Sequence, residues 1–163
     1  MKRITIAAFA AFFALPAAAH DYKTGGLVVN HPMAFETPKA ANTGGGYLTI
    51  TNTGETADRL VAVQAEGFDE VSLHESSTDD MGVARMRHVP GIDLPPGEMV
   101  SLEPGGYHVM FMGLNGDPFE VGEKIPATLQ FEQAGPLDVT FNVESRRDAG
   151  HGEMDHSAHG AHD

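Results

Sequence analysis

The sequence predicts an all-β domain, an antiparallel sandwich or barrel. Three observations carry this. Short alternating apolar runs recur at close spacing, Gly, Pro, Asn and Asp punctuate the gaps, and no stretch sustains a helical period.

The elements follow in order. "MKRITIAAFAAFFALPAAAH" has a basic start at Lys2 and Arg3, an apolar run from Ile4 to Leu15, a Pro16 breaker and a small-x-small site at Ala17–Ala19. That pattern is a secretory signal peptide over residues 1–19, too short to span a bilayer permanently. It predicts export to the periplasm, and no second apolar run is long enough for membrane insertion after cleavage. Residues 20–147 then suit one domain. "GGYLTITNTGETADRLVAVQAE" gives a strand near Gly46–Asn52, a turn at Asn52–Gly54 and a strand near Arg59–Ala65. "DEVSLHES" gives a strand over about Glu70–Glu75, "TDDMG" a loop, "VARMRHV" a strand and "PGIDLPPGE" a turn-rich crossing. "MVSLEPGGYHVMFMGL" gives a short strand, a Pro104-Gly105-Gly106 turn and a second strand. "GEKIPATLQFEQAGPLDVTFNVE" gives two strands joined around Gly135-Pro136, after a turn of helix expected near Asp117–Val121. Residues 148–163, "DAGHGEMDHSAHGAHD", have no strand pattern and too little apolar bulk to order themselves.

Composition excludes several functions. With no cysteine there are no disulfides, no blue-copper or thiolate-bridged copper centre and no thiol redox chemistry. The formal net charge is −13, and two of the ten basic residues lie in the leader. Nucleic acid and anionic lipid need basic patches, so neither is expected as a partner. Acidity suits cations, and it also simply keeps an exported protein soluble.

The strand "YHVMFM" splits by parity. Tyr107, Val109 and Phe111 take one face; His108, Met110 and Met112 take the other. Buried histidines are often structural, and methionines often fill core gaps, as Met112 is expected to do. The neighbouring segments add to the pattern. His74 lies opposite in parity to Val71 and Leu73, and Met86 shares a parity with His88. Strands about 4.8 Å apart can converge such side chains on one ion. Thioethers are soft, neutral ligands that select Cu(I) over zinc, calcium and magnesium, and imidazoles join them readily.

The arrangement resembles the periplasmic copper chaperone family PCu(A)C. That family's signature is a His, a Met about ten residues on, twenty-one residues, then His-x-Met. Here twenty-one residues separate Met86 from His108, and Met110 completes His-x-Met. "RMRHV" and "LEPGGYHVMFMGL" match in style, as do "VNHPMAFETP" and "GGYLTITNTG" upstream. Eleven residues separate His74 from Met86, one more than usual, an excess the Ser76–Gly82 loop can absorb. The resemblance covers roughly Tyr22–Val143. It implies a cupredoxin-like, Greek-key β-sandwich that is not an enzyme. It implies a Cu(I) site of His74, Met86, His108 and Met110, and delivery toward cytochrome c oxidase assembly. The implied acceptor is a Sco-type protein or oxidase subunit II.

The tail holds His151, Met154, His156, His159 and His162 within twelve residues. A His-rich tract is a metal-binding signal by composition, and unconstrained imidazoles favour Cu(II). A tether also concentrates metal near the folded site. His31 reads as structural or surface. His20, at the expected mature terminus, could chelate Cu(II) with its own amine, and His88 reads as a rim residue. Copper buffering or resistance uses the same ligands and stays open. A copper oxidoreductase fits less well, because two thioethers oppose Cu(II) and no acid–base pair is evident.

Overall fold

A computed structural model gives the fold and describes residues 21–147. The expected signal peptide, His20 and the His/Met tail therefore lie outside the described residues. Eleven strands are found among those described: β1 (Tyr22–Thr24), β2 (Leu27–Phe35), β3 (Thr43–Asn52), β4 (Asp58–Gln64), β5 (Glu70–Thr78), β6 (Ala84–His88), β7 (Ile92–Leu94), β8 (Met99–Leu102), β9 (Tyr107–Met112), β10 (Lys124–Phe131) and β11 (Gly135–Glu144).

Hydrogen bonding runs β6-β5-β9-β8-β3-β2-β11-β10-β4-β7, with β1 added to β2 and β9 also paired with β3. Long β3 makes the curl: Thr43–Gly46 pairs with β9, while Leu48–Thr51 pairs with β8. The curl brings β9 face to face with β11, where Phe111 and Phe141 stand 5.6 Å apart, centroid to centroid. The expected sandwich is thus present, but its sheet is mixed. The β2–β11 and β8–β9 pairings are parallel.

The core follows strand alternation. Leu48, Ile50 and Asn52 on β3, Val109 and Phe111 on β9, and Val139, Phe141 and Val143 on β11 all point inward. The "GGGY" run has a packing reason. A side chain at Gly46 would put its Cβ 2.8 Å from the Phe111 ring and 3.0 Å from Phe141, so glycine makes room for the aromatic pair.

Three expectations are corrected. "PGIDLPPGE" contains a strand, β7, whose Ile92 and Leu94 are buried and which pairs with β4. No helix is found among the described residues. At Asp117–Val121 the chain is irregular instead, with Thr37 N–H donating to the Phe119 carbonyl and Phe119 N–H to Thr37 Oγ1. The β10–β11 turn falls at Glu132–Ala134, before Gly135-Pro136, because Asp58 accepts the Gln133 and Ala134 N–H groups.

Asn52 is the buried polar joint of this layer. Its Nδ2 donates to the carbonyls of Thr56 and Leu94, each at 2.9 Å, and its Oδ1 accepts Gly54 N–H. Asn52→Leu keeps the volume but removes three hydrogen bonds, those to the Thr56 and Leu94 carbonyls and the one from Gly54 N–H. We expect a loss of about 2–3 kcal/mol in urea unfolding followed by far-UV circular dichroism. A change under about 0.5 kcal/mol would refute that joint.

Candidate metal centre

Strands β6, β5 and β9 form one end of the sheet, and their register decides what their faces present. His74 is the direct partner of both His88 on β6 and His108 on β9. Directly paired residues point the same way, so His88, His74 and His108 form one row across three strands. Ring centroids are 5.8 Å apart for His74–His88 and 5.9 Å for His74–His108. Met86 stands opposite Ser76, one step beyond the row; Met110 stands opposite Ser72, one step before it. The histidine row therefore runs between the two thioethers. The register puts all four candidate residues on one face, and β5 runs on to Thr78, past the expected end.

Burial is graded along the row. His108 is only 5% exposed, His74 is half-buried, and His88 is exposed on the edge strand with Met86, which is 53% exposed. Tyr47 of β3 covers the inner end, its ring 6.5 Å from His108. Gly45 admits that ring: a Cβ there would lie 2.6 Å from the Tyr47 hydroxyl.

Hydrogen bonds orient both inner imidazoles. His108 Nδ1 lies 3.1 Å from the Gly106 carbonyl, which only an N–H can satisfy. Its Nε2 then carries the lone pair. The Pro104-Gly105-Gly106 turn sets that carbonyl, with Gly105 at a φ of 89° that side chains rarely adopt. His74 Nε2 lies 3.1 Å from Ser72 Oγ, whereas its Nδ1 is buried without a hydrogen-bond partner. With Nε2–H donating to Ser72, Nδ1 is a buried lone pair. Leaving such an atom unmatched costs about 1–3 kcal/mol, which a ligated metal would recover. Burial, then the neighbouring His108 and His88, push the His74 pKa below the usual imidazole value, with Glu70 opposing. His74 thus favours its neutral, ligating form.

Among the described residues, no three His, Cys, Asp or Glu side chains gather closely enough to hold a metal. The three imidazoles form a line, so a centre here needs methionine sulfur. The residue types fit that demand: two inward imidazoles with oriented lone pairs and two thioethers on one face. His31 is outside the group. It sits at a φ of 49° in the β2 irregularity and pairs with Glu144 at 3.2 Å, the surface role expected. Met112 shares the site's face two residues beyond Met110, half-buried. A hollow lined by Tyr22, Gln64, Thr128 and Asp138 lies elsewhere, against β4, β10 and β11. Ser72 and Tyr47 carry no role in the sequence reading, and Gly106 enters it only as part of a turn. The Ser72-x-His74 alternation was the available signal for Ser72, the Pro-Gly-Gly turn for Gly106, and nothing local marked Tyr47.

The β5–β6 hairpin that carries Met86 is closed by Asp79. Its carboxylate accepts the Met81 and Val83 N–H groups and meets Arg85 Nε at 3.3 Å. These contacts, the Val83 N–H first, lower its pKa below the ordinary 3.8. A carboxylate lowered on folding stabilises the hairpin above its unfolded pKa, and the effect is lost as pH falls through the lower folded value. The Met81 and Val83 amide resonances should therefore shift together below pH 3.8. An inflection above that value would refute the cap.

The curled β domain and its His/Met face define a class: a cupredoxin-like domain presenting soft donors at one sheet end. The family model described as "Putative lipoprotein LpqE-like" matches residues 27–143. The chain belongs to this LpqE-like family, of the PCu(A)C type that the sequence resembled. A curated relative, "Putative lipoprotein Lxx21020" of Leifsonia xyli subsp. xyli (strain CTCB07), is 29% identical over 73% of this chain and 81% of its own length. The apo PCuAC domain from PmoF1 is 29% identical, with a TM-score of 0.65 over 77% of this chain and 99% of that one. The copper-bound PCuAC domain from PmoF2 is 27% identical, with a TM-score of 0.63 over 77% of this chain and 98% of that one. Apo-DR1885 from Deinococcus radiodurans is 26% identical, with a TM-score of 0.57 over 90% of this chain and 97% of that one.

Proposed function

We propose that this protein is a periplasmic copper chaperone that holds Cu(I) through His74, Met86, His108 and Met110. It hands the ion on for cytochrome c oxidase assembly, to a Sco-type protein or oxidase subunit II. The observation that carries the reading is the pair His74–His108. Their rings adjoin, one has an unmatched buried Nδ1, the other a carbonyl-fixed tautomer, and Met110 shares their face. The copper-bound PmoF2 domain, similar over most of this chain, supports it. A carrier, not an enzyme, suits a neutral donor set that favours Cu(I) and adds no acid–base pair. Export follows from the leader over residues 1–19. None of the 163 residues is cysteine, so none can carry a lipid on sulfur, whatever the family's name.

The tail, with His151, Met154, His156, His159 and His162, captures a second copper as Cu(II). Its attachment point favours a role beside the folded site. Arg146 lies over the Phe35 ring at 5.0 Å, Phe35 lies 5.6 Å from Tyr47, and Tyr47 adjoins His108.

X-ray absorption at the copper edge, on protein ending at residue 147 and loaded anaerobically, tests the folded site. Mixed sulfur and nitrogen scatterers are expected, and nitrogen or oxygen alone would reject it. The same truncation should abolish Cu(II) binding and keep Cu(I) binding. Unchanged Cu(II) stoichiometry would refute the tail's part. Oxidase assembly under copper starvation, against survival under copper excess, separates delivery from buffering.

A further inference from the structure

The histidine row has three members, and the proposed Cu(I) site uses two. His88 is left over. It shares the face of His74 and His108, its ring stands 5.8 Å from His74, and it is exposed on an edge strand whose five residues all face solvent. His108, by contrast, lies under Tyr47.

Copper passes between proteins or chelators by associative exchange. The incoming ligand must bond to the ion before the outgoing one leaves, so donor and acceptor must touch the ion together. His108, at 5% exposure, cannot meet a ligand still attached to a donor. His88 can, and so can Met86 beside it on the same strand face. From there, each step along the row is one strand spacing: His88 to His74, then His74 to His108.

Resting on the chaperone reading, we propose that His88 is the receiving and releasing ligand of the site. It bonds Cu(I) while the donor is still attached and passes it to His74, and it does not hold the ion at rest. In each step one copper–nitrogen bond forms as another breaks. Copper remains Cu(I), no electron moves, and the donor leaves as its free ligand.

The test separates rate from affinity. Cu(I) is presented as its bicinchoninate complex under anaerobic conditions, with uptake followed by stopped-flow loss of the complex's colour. Equilibrium competition with the same chelator gives the affinity. For His88→Ala and the ring-preserving His88→Phe, uptake should slow at least about tenfold while Kd stays within roughly threefold of wild type. His31→Ala, which removes an exposed imidazole outside the row, should change neither. Wild-type uptake rates in both His88 variants would overturn the proposal. So would an affinity loss equal to that of His108→Ala, which would make His88 a resident ligand. Wild-type affinity in both His108→Ala and Met110→Ala would instead overturn the site itself, and the titration reads that independently of the rate.

Discussion

Phe111→Ala is expected to lower the unfolding free energy by about 3–5 kcal/mol, the range for removing a fully buried aromatic ring. Phe111 is completely buried and sits where the two layers meet. Its ring lies 4.9 Å from Phe68, 5.6 Å from Phe119 and 5.6 Å from Phe141, the last two edge-on. Edge-on pairs add about 0.5–1.5 kcal/mol each beyond buried area. The cavity would not collapse easily, because Gly44 and Gly46 on the paired strand have no side chain to move into it. Nor is there a disulfide to hold the layers together. Against a usual total of about 5–15 kcal/mol, this loss brings the domain close to unfolding at ambient temperature. Urea unfolding followed by far-UV circular dichroism suits a protein without tryptophan. The midpoint should fall with little change in slope. A loss below about 1 kcal/mol would mean that the aromatic cluster does not join the layers.

Phe111 also shows why much of this fold was legible in the sequence. Strand alternation is local, and one residue's parity fixes its neighbours: Val109 and Phe111 on the core face require His108 and Met110 on the opposite face. The same logic placed Met86 with His88 and separated His74 from Leu73. Local turn chemistry gave the Pro104-Gly105-Gly106 turn, and β9 runs over the six residues expected, Tyr107–Met112. Other features depend on contacts between distant segments. The parallel β2–β11 pairing joins chain ends over a hundred residues apart, and no local pattern encodes it. Strand β7 is three residues long amid prolines, and its identity comes from pairing with β4 and from Asn52 gripping Leu94. Residues 117–121 are irregular rather than helical, tied at Phe119 to Thr37 of a distant segment.

The site was legible in part for the same reason. Parity put the donors on one face, but only strand register could show that His88, His74 and His108 stand in line. A slip of one residue in either pairing would have put His74 on the opposite face from its neighbours. The graded burial of that line, from exposed edge to the cover of Tyr47, was invisible in sequence. It depends on which strand ends the sheet, and β6 does. The bare Nδ1 of His74 likewise follows from Ser72 occupying the other ring nitrogen.

His108→Ala should weaken Cu(I) binding by at least about 100-fold, equivalent to about 2.8 kcal/mol or more. Three features set it apart among the proposed ligands. Its tautomer is already fixed by the Gly106 carbonyl, so little ring freedom is lost on binding. It is the most buried of the proposed donors, so water competes least for its place. It also stands beside His74, whose buried Nδ1 has no hydrogen-bond partner. Supporting residues around metals commonly cost about 10–100-fold when removed, and a ligand itself should cost no less. Met86→Ala should cost less, about tenfold. An exposed methionine gives up on the order of 1.5–2 kcal/mol of side-chain freedom when it is fixed, which offsets part of its bond. Folding should survive in both variants, since neither residue belongs to the hydrophobic core cluster. Anaerobic chelator competition gives the ratio directly, and circular dichroism checks the fold. If His108→Ala and Met86→Ala lose affinity equally, the inner imidazole does not lead the site. If His108→Ala keeps wild-type affinity, copper is held somewhere other than this row.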